Sequence, residues 1–236
     1  MRAIVFGASG GIGSALVEAL AARRPDAIVF AVSRAHTAPK AGVPLHIRDY
    51  DDESLENLVD QVRDDGPLDL CLCAIGLLSD GGALTPERSY RHQTKDAFEQ
   101  VFAANVVAPA LIAKHVLPAM PRDRRAVFAA LSARVGSIED NQLGGWHAYR
   151  ASKAALNMLI KNYAIEQARR NPDFVSVGLH PGTVDTKLSK PFQSGVSQDR
   201  LFSPTQSATY LLDVIEGLAP HNSGHVYDWA GARIPA

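Results

Sequence analysis

Short apolar runs alternate along this chain with longer stretches of helical spacing. Residues 2–6, RAIVF, read as a strand, since β-branched and aromatic side chains dominate it. A glycine-rich turn follows at 7–13, and a helix is predicted near 12–23. Further apolar runs predict strands at 27–33, 44–49, within 67–76, and at 125–132, 174–180 and 224–229. Helices are predicted at 52–65, near 94–119, from the Tyr149 region to about 169, and at 203–218, with Pro109 and Pro118 placed to bend or end the second. The strands are nearly continuous apolar runs, as expected when both faces of a sheet are covered. Strand and helix in regular alternation argue for βαβ units. The expected fold is α/β, a doubly wound parallel sheet of about seven strands. No repeat, low-complexity tract or linker interrupts the pattern, so residues 1–236 are expected to form a single domain.

Composition narrows this picture a little. With 46% apolar and 21% charged residues in 236, the chain suits a globule with a substantial core. A net charge of −1 implies no bulk attraction to nucleic acid or to a membrane surface. The basic cluster Arg122, Arg124, Arg125 is too small to support nucleic-acid binding. No apolar run reaches membrane-spanning length, and the opening MRAIVFGASG lacks signal-peptide anatomy, so a cytoplasmic location is expected. Cys71 and Cys73 are two apart on a predicted strand and share a face, a poor geometry for a mutual disulfide. They read as small core residues in a reducing compartment. A lone C-x-C and eight histidines without ligand spacing predict no metal site. The Pro-, Ser- and Gly-rich stretch 187–203 is the most loop-like long segment and a candidate lid.

Two motifs carry candidate chemistry. Gly7, Gly11 and Gly13 lie between a strand and a helix. Glycines there permit a tight turn and close backbone approach to a pyrophosphate, whose charge rests on the helix N-terminus. The spacing is G-x-x-x-G-x-G, so a merely structural turn is the competing reading. In WHAYRASKAAL, Tyr149 and Lys153 stand four apart on one helix face. The bland reading is a packed tyrosine with a lysine stem running past it. The chemical one is a phenol whose pKa a nearby ammonium lowers, making an acid/base usable near neutral pH.

GASGGIG at 7–13 together with YRASK at 149–153 resembles the short-chain dehydrogenase/reductase family. The resemblance extends over DYDD at 49–52, AIG at 74–76, AANVVAP at 103–109, LSARVG at 131–136 and HPGTVDT at 180–186. It is greatest to a branch of small carbonyl reductases that includes C-factor-like proteins. The resemblance implies a Rossmann-type fold and an oxidoreductase moving hydride between a nicotinamide and a carbonyl or secondary alcohol. Tyr149 would be the general acid/base. Lys153 would tune it and bind the nicotinamide ribose. Asn105 would hold a water in a proton relay. Ser9, Gly11, Ile12 and Gly13 would meet the phosphates. Ala74, Ile75 and Gly76 would pass under the adenosine ribose, although the family's usual Asn-Ala-Gly is Ala-Ile-Gly here. Asp49 and Tyr50 would flank the adenine. Pro181, Gly182 and Val184 would cover the nicotinamide, with Thr186 reaching the phosphates.

Two positions depart from the common pattern. The second strand ends Ser33-Arg34, where an NAD enzyme usually carries Asp or Glu; Arg accommodates a 2′-phosphate, so NADP(H) is expected rather than NAD(H). The family's substrate-orienting serine stands three residues before the glycine of SxxG, and Ala133 occupies that place. Either Ser132 or Ser137 has taken over through a local shift, or Tyr149 alone orients the carbonyl. Ser132 is the best single serine. His147 and His180 read as structural. The competing function is a nucleotide-binding sensor without catalysis. The partners expected are a small carbonyl or alcohol substrate and further copies of the chain, as a dimer or tetramer.

Overall fold

A computed structural model describes residues 1–35, 40–195 and 197–236. In chain order the elements are β1 (Arg2–Phe6), α1 (Gly11–Arg23), β2 (Ile28–Ser33), β3 (Val43–His46), α2 (Asp52–Arg63), β4 (Leu70–Cys73), α3 (Lys95–Phe102), α4 (Ala108–Val116), β5 (Ala126–Leu131), α5 (His147–Ala168), β6 (Phe174–His180), β7 (Thr183–Val184), β8 (Leu201–Phe202), α6 (Pro204–Gly217), β9 (His225–Asp228) and β10 (Arg233–Ile234).

Among the described residues, eight strands form the central sheet in the order β3-β2-β1-β4-β5-β6-β9-β10, all parallel except β10. This is the doubly wound α/β arrangement expected, with one strand more than the seven predicted. The added strand, β10, is two residues long and turns back antiparallel along β9. Two residues carry no periodicity, so the pattern could not announce it. β3 is also shorter than the predicted 44–49. It is the sheet's edge, mostly exposed, and ends at His46.

Side chains alternate across each strand, and that alternation divides the core in two. Ala3 and Val5 join Leu16 and Leu20 of α1 and Leu211 and Ile215 of α6 on one face. Ile4 and Phe6 join Leu58 of α2, Ile112 of α4 and Leu156 and Ile160 of α5 on the other. Cys71 and Cys73 both fall in this second cluster, as their spacing predicts. Burial pushes the Cys71 thiol well above its ordinary range and that of Cys73 up to about 11, so both stay protonated.

The predicted helix 94–119 is interrupted. A π turn at Ala103–Val107 separates α3 from α4, and a short 3-10 turn, Leu117–Ala119, ends the run at Pro118. Pro109 follows this turn without a break in the helix, and it has no N–H for the Asn105 carbonyl four residues back, so the irregularity falls in the turn that the proline disturbs. The stretch Lys95–Ala119 is long and apolar enough to cross a membrane, which amends the expectation that no segment reaches that length. Here it packs against the sheet, with Ile112, Ala113 and Val116 fully buried.

β1 is hydrogen-bonded to both β2 and β4. The connections leaving β1 and β4 therefore run to opposite sides, which opens a crevice at their C-terminal ends. Gly7 sits in that crevice with φ +81°, and a Cβ there would lie 2.8 Å from the Ala74 carbonyl oxygen. Only glycine meets both conditions.

Candidate active site

The crevice is lined from both halves of the fold. A cavity of about 430 Å³ is bordered by Ser9 to Gly13 on the α1 side and by Ala74, Ile75 and Gly76 after β4. Its far wall is formed by Ser132, Tyr149 and Lys153, and its mouth by Pro181, Thr186, Lys187 and Leu188. Residues far apart in sequence thus face one space. Gly7 lies beneath the turn. Val184 is buried in the β7–β8 pair, and its carbonyl accepts a hydrogen bond from the Ser189 hydroxyl. Gly182 has φ +77° and turns against the Phe202 ring.

The α1 N-terminus is open to an anion. Its N-cap is Gly10, no side chain caps it, and its first turn holds no acid. Unsatisfied N–H groups and the helix dipole therefore point at the cavity. A Cβ on Gly13 would sit 2.2 Å from the Gly7 carbonyl oxygen, and one on Gly11 2.8 Å from the Thr186 methyl. The glycines keep this turn clear of side chains and close to Thr186.

At the rim, Arg34, Asp49 and Tyr50 meet where β2 and β3 end. The Arg34 guanidinium lies 5.5 Å from the Tyr50 ring centroid and 4.0 Å from Asp49 Oδ1. Ser33 is buried, and its hydroxyl bonds the Ala35 backbone. It shapes the turn, while Arg34 is left exposed beyond it.

On α5, Lys153 is 2% exposed, and its Nζ donates to the Leu131 carbonyl at 2.8 Å. The same Nζ stands 5.7 Å from the Tyr149 ring centroid, so the i, i+4 spacing brings the two groups together as expected. The electrostatics differ from expectation. Burial pushes the Tyr149 phenol up to about 12, and burial pulls the Lys153 ammonium down to about 8. The pair does not lower the phenol pKa in this state, because loss of water around the half-buried ring outweighs a cation held over its face.

Asn105 is fully buried in the π turn. Its Oδ1 accepts from Leu77 N at 2.7 Å, and its Nδ2 donates to Leu77 O at 2.9 Å and to Ser152 Oγ at 3.0 Å. The Ser152 hydroxyl in turn donates to the Tyr149 carbonyl at 2.7 Å. Asn105 thus clamps the strand-to-loop exit beside the cavity. Both of its amide hydrogens are thereby committed to protein groups. Pro109, four residues on, has no N–H to offer, so the Asn105 carbonyl lacks its usual i+4 donor.

Ser132 lines the cavity, yet its hydroxyl donates to Asn157 Oδ1 at 2.6 Å. Ser137 bonds Asp140 N and the Ala236 carbonyl. Both alternative serines are thereby engaged elsewhere, and Ala133 is nearly buried. His180 is held neutral, its pKa brought down to about 4 by burial and by Arg134, in keeping with a structural role.

Trp146 reads from the sequence as a residue just before the helix, beside the cleft; its contacts, and Glu87 altogether, escape that reading. Glu87 is buried, and both its carboxylate oxygens accept from Ala148 N at 3.3 Å, capping the helix that carries Tyr149. Trp146 precedes that helix at φ 51°, a left-handed conformation rare for a bulky side chain. Its N–H donates to the Glu87 carbonyl at 2.6 Å. Neither contact has a local signal, since each joins segments about sixty residues apart.

Residues 1–197 match the family described as short chain dehydrogenase. A 1-hydroxy-2-glutathionyl-2-methyl-3-butene dehydrogenase from Rhodococcus sp. (strain AD45) is 30% identical over 227 residues, covering 94% of this chain and 93% of that protein. The C-signal of Myxococcus xanthus is 34% identical over 136 residues, 58% of this chain and 76% of that one. Among solved structures, an NADPH-bound carbonyl reductase from chicken fatty liver superposes with a TM-score of 0.83 at 23% identity, covering 100% of this chain and 94% of the other.

The buried ammonium generates a prediction. A Lys whose folded pKa is depressed costs stability below that pKa, and the cost is relieved as pH rises toward the unfolded value. Lys153→Met should therefore stabilise the ligand-free protein at pH 7 by as much as about 3 kcal/mol, the equivalent of a drop from 10.5 to about 8. The gain should shrink between pH 8 and 10.5, while nucleotide binding is lost. Denaturant unfolding of both proteins across that range checks it.

Proposed function

The chain belongs to the short-chain dehydrogenase family of NAD(P)-dependent oxidoreductases, and from that premise we propose that it reduces a small-molecule carbonyl with NADP(H), Tyr149 giving the proton. The observation that carries this reading is the shared cavity, into which the glycine turn and the Tyr149–Lys153 pair both open. NADP(H), when bound, supplies the hydride.

The chain's own residues do the rest. Ser9, Gly11, Ile12 and Gly13 would hold the phosphates on the N–H groups of α1, with Thr186 closing over them. Ala74, Ile75 and Gly76 would support the adenosine ribose with backbone, and Asp49 and Tyr50 the adenine. Arg34, with the turn that Ser33 shapes, would take the 2′-phosphate. Lys153 would bond the nicotinamide ribose. Pro181, Gly182 and Val184 would back the nicotinamide, the Pro181 carbonyl being held by Ser207 at 3.0 Å.

A phenol near pKa 12 is protonated at neutral pH. That is the form a carbonyl reduction needs, since the developing alkoxide takes the phenolic proton. Lys153 beside it steadies the tyrosinate left behind. Resupply of the proton runs past Lys153 toward the π turn, whose backbone rather than the Asn105 side chain would hold the connecting water. With Ala133 at the serine position and Ser132 bound to Asn157, Tyr149 orients the carbonyl alone.

Ala133 also favours a second reading, a nucleotide-binding sensor on the same fold without catalysis. Turnover separates the two. NADPH oxidation followed with a panel of aldehydes, ketones and quinones should reveal at least one substrate, and a panel without turnover but with tight NADPH binding would favour the sensor.

Tyr149→Phe keeps the ring and removes the proton. It should lower kcat for carbonyl reduction about 10²–10⁴-fold with NADPH affinity retained, measured by steady-state kinetics and fluorescence titration. Arg34→Ala should weaken NADPH binding by roughly tenfold or more while NADH changes little, since one charge-assisted contact to the 2′-phosphate is removed. Equal dissociation constants for the two cofactors in the unaltered protein would refute the preference.

An oxyanion donor is typically worth about 10²–10³ in rate. Ser132→Ala should cost less than about tenfold, below that range, and Ala133→Ser should raise the rate on a simple aldehyde. A collapse of activity in Ser132→Ala, with fold and NADPH binding intact, would make Ser132 the catalytic serine.

A further inference from the structure

A second cavity of about 710 Å³ adjoins the catalytic one and is not needed for the nucleotide. One wall is the loop after β4, through Pro86, Arg88 and His92; the other is the short turn Lys190–Phe192. Trp146 stands between the two cavities. Its ring meets the Tyr149 ring edge-on at 6.3 Å and the Phe192 ring at 5.2 Å. A group bound in the second cavity is thus one aromatic ring away from the phenol. The same segment supplies Lys187 and Leu188 to the first cavity and Pro191 and Phe192 to the second, so it borders both spaces.

The chemistry of the walls is uneven. Trp146, Phe192, Pro86 and Pro191 present flat apolar surface. Arg88 and His92 are exposed, and among the described residues neither side chain has an ion-pair or hydrogen-bond partner. One acid, Glu87, also borders the cavity, but its carboxylate is buried against Ala148 N and does not answer Arg88. Lys187, likewise without a partner, adds a further positive charge on the bordering segment. The result is a mixed slot, with aromatic and proline faces on its inner side and the unpaired Arg88 guanidinium and His92 ring at its outer wall. Its size is that of a pocket for a compact organic ligand, beyond what a simple aldehyde fills.

We infer that the substrate has an aromatic or apolar body ending in an anionic group, a carboxylate, with the body against Trp146 and Phe192 and the anion on Arg88 and His92. The inference rests on the carbonyl-reduction reading, which puts the reacting carbonyl at Tyr149. Arg is suited to the anion because its planar fork matches a carboxylate bidentately.

The test compares 4-carboxybenzaldehyde with its methyl ester, methyl 4-formylbenzoate, as substrates with NADPH. The kcat/KM ratio of acid to ester should be about tenfold or more, in line with one charge-assisted hydrogen-bonded pair, and should fall as salt is raised. Arg88→Gln should bring the ratio toward one. Arg91→Gln removes the same charge from a side chain stacked on Tyr90, outside the cavity, and should leave the ratio high. A ratio near one in the unaltered protein, or one unmoved by Arg88→Gln, overturns the inference. Calorimetric binding of 4-methylbenzoate and its methyl ester separates the two layers of argument. If neither aldehyde is reduced yet the benzoate binds and Arg88→Gln abolishes that binding, the anion site stands and the carbonyl-reduction reading falls. If the benzoate binds no better than its ester, the anion site falls.

Discussion

The buried ammonium of Lys153 is the constraint around which the rest of the site is arranged. A charge removed from water needs a partner, and among the described residues its one hydrogen bond goes to a backbone carbonyl, that of Leu131 at the end of β5, beside the Tyr149 ring. That single bond ties α5 to the sheet at the point where the glycine turn and the AIG turn also arrive. It brings the phenol of Tyr149 into the crevice that the strand order opens. It also leaves the ligand-free protein with an under-compensated charge, an arrangement that makes sense where a ligand completes the set.

The supports of that arrangement come from outside the motifs. Asn105 grips both the N–H and the C=O of Leu77 and reaches Ser152, so one side chain joins the π turn, the loop after β4 and α5. Glu87 caps α5 from the same loop. Trp146 is held in a left-handed conformation between these contacts, and its ring divides the catalytic cavity from its neighbour. The helix that carries the chemistry is therefore positioned by a loop of no evident pattern.

The sheet was legible because its strands are buried on both faces and read as apolar runs, and the glycine turn because only a strand before and a helix after give such spacing meaning. β7, β8 and β10 were not, since two-residue pairings have no period to detect. The π turn was hidden for a related reason: a shift from i, i+4 to i, i+5 bonding leaves no mark in composition. The spacing of Tyr149 and Lys153 showed that the two groups meet, but spacing measures proximity and not depth, and depth decides the sign of the phenol's shift. The partner of Asn105 at Leu77 lies twenty-eight positions away and had no local trace. The contacts of Glu87 and Trp146 left no trace for the same reason, since they cross the fold.

The loop after β4 is fastened at two points, Leu77 to Asn105 and Glu87 to the start of α5, with the cation-bearing stretch just beyond the second. Such a segment behaves as a cassette. Its outer turn is free to differ in length and chemistry as long as the two fastenings are kept, together with Leu84, which is buried between them and packs with Ala148 and Tyr149. The exposed part of that cassette is thus mechanically separate from the glycine turn and from the Tyr149–Lys153 pair, and a change in one need not disturb the other.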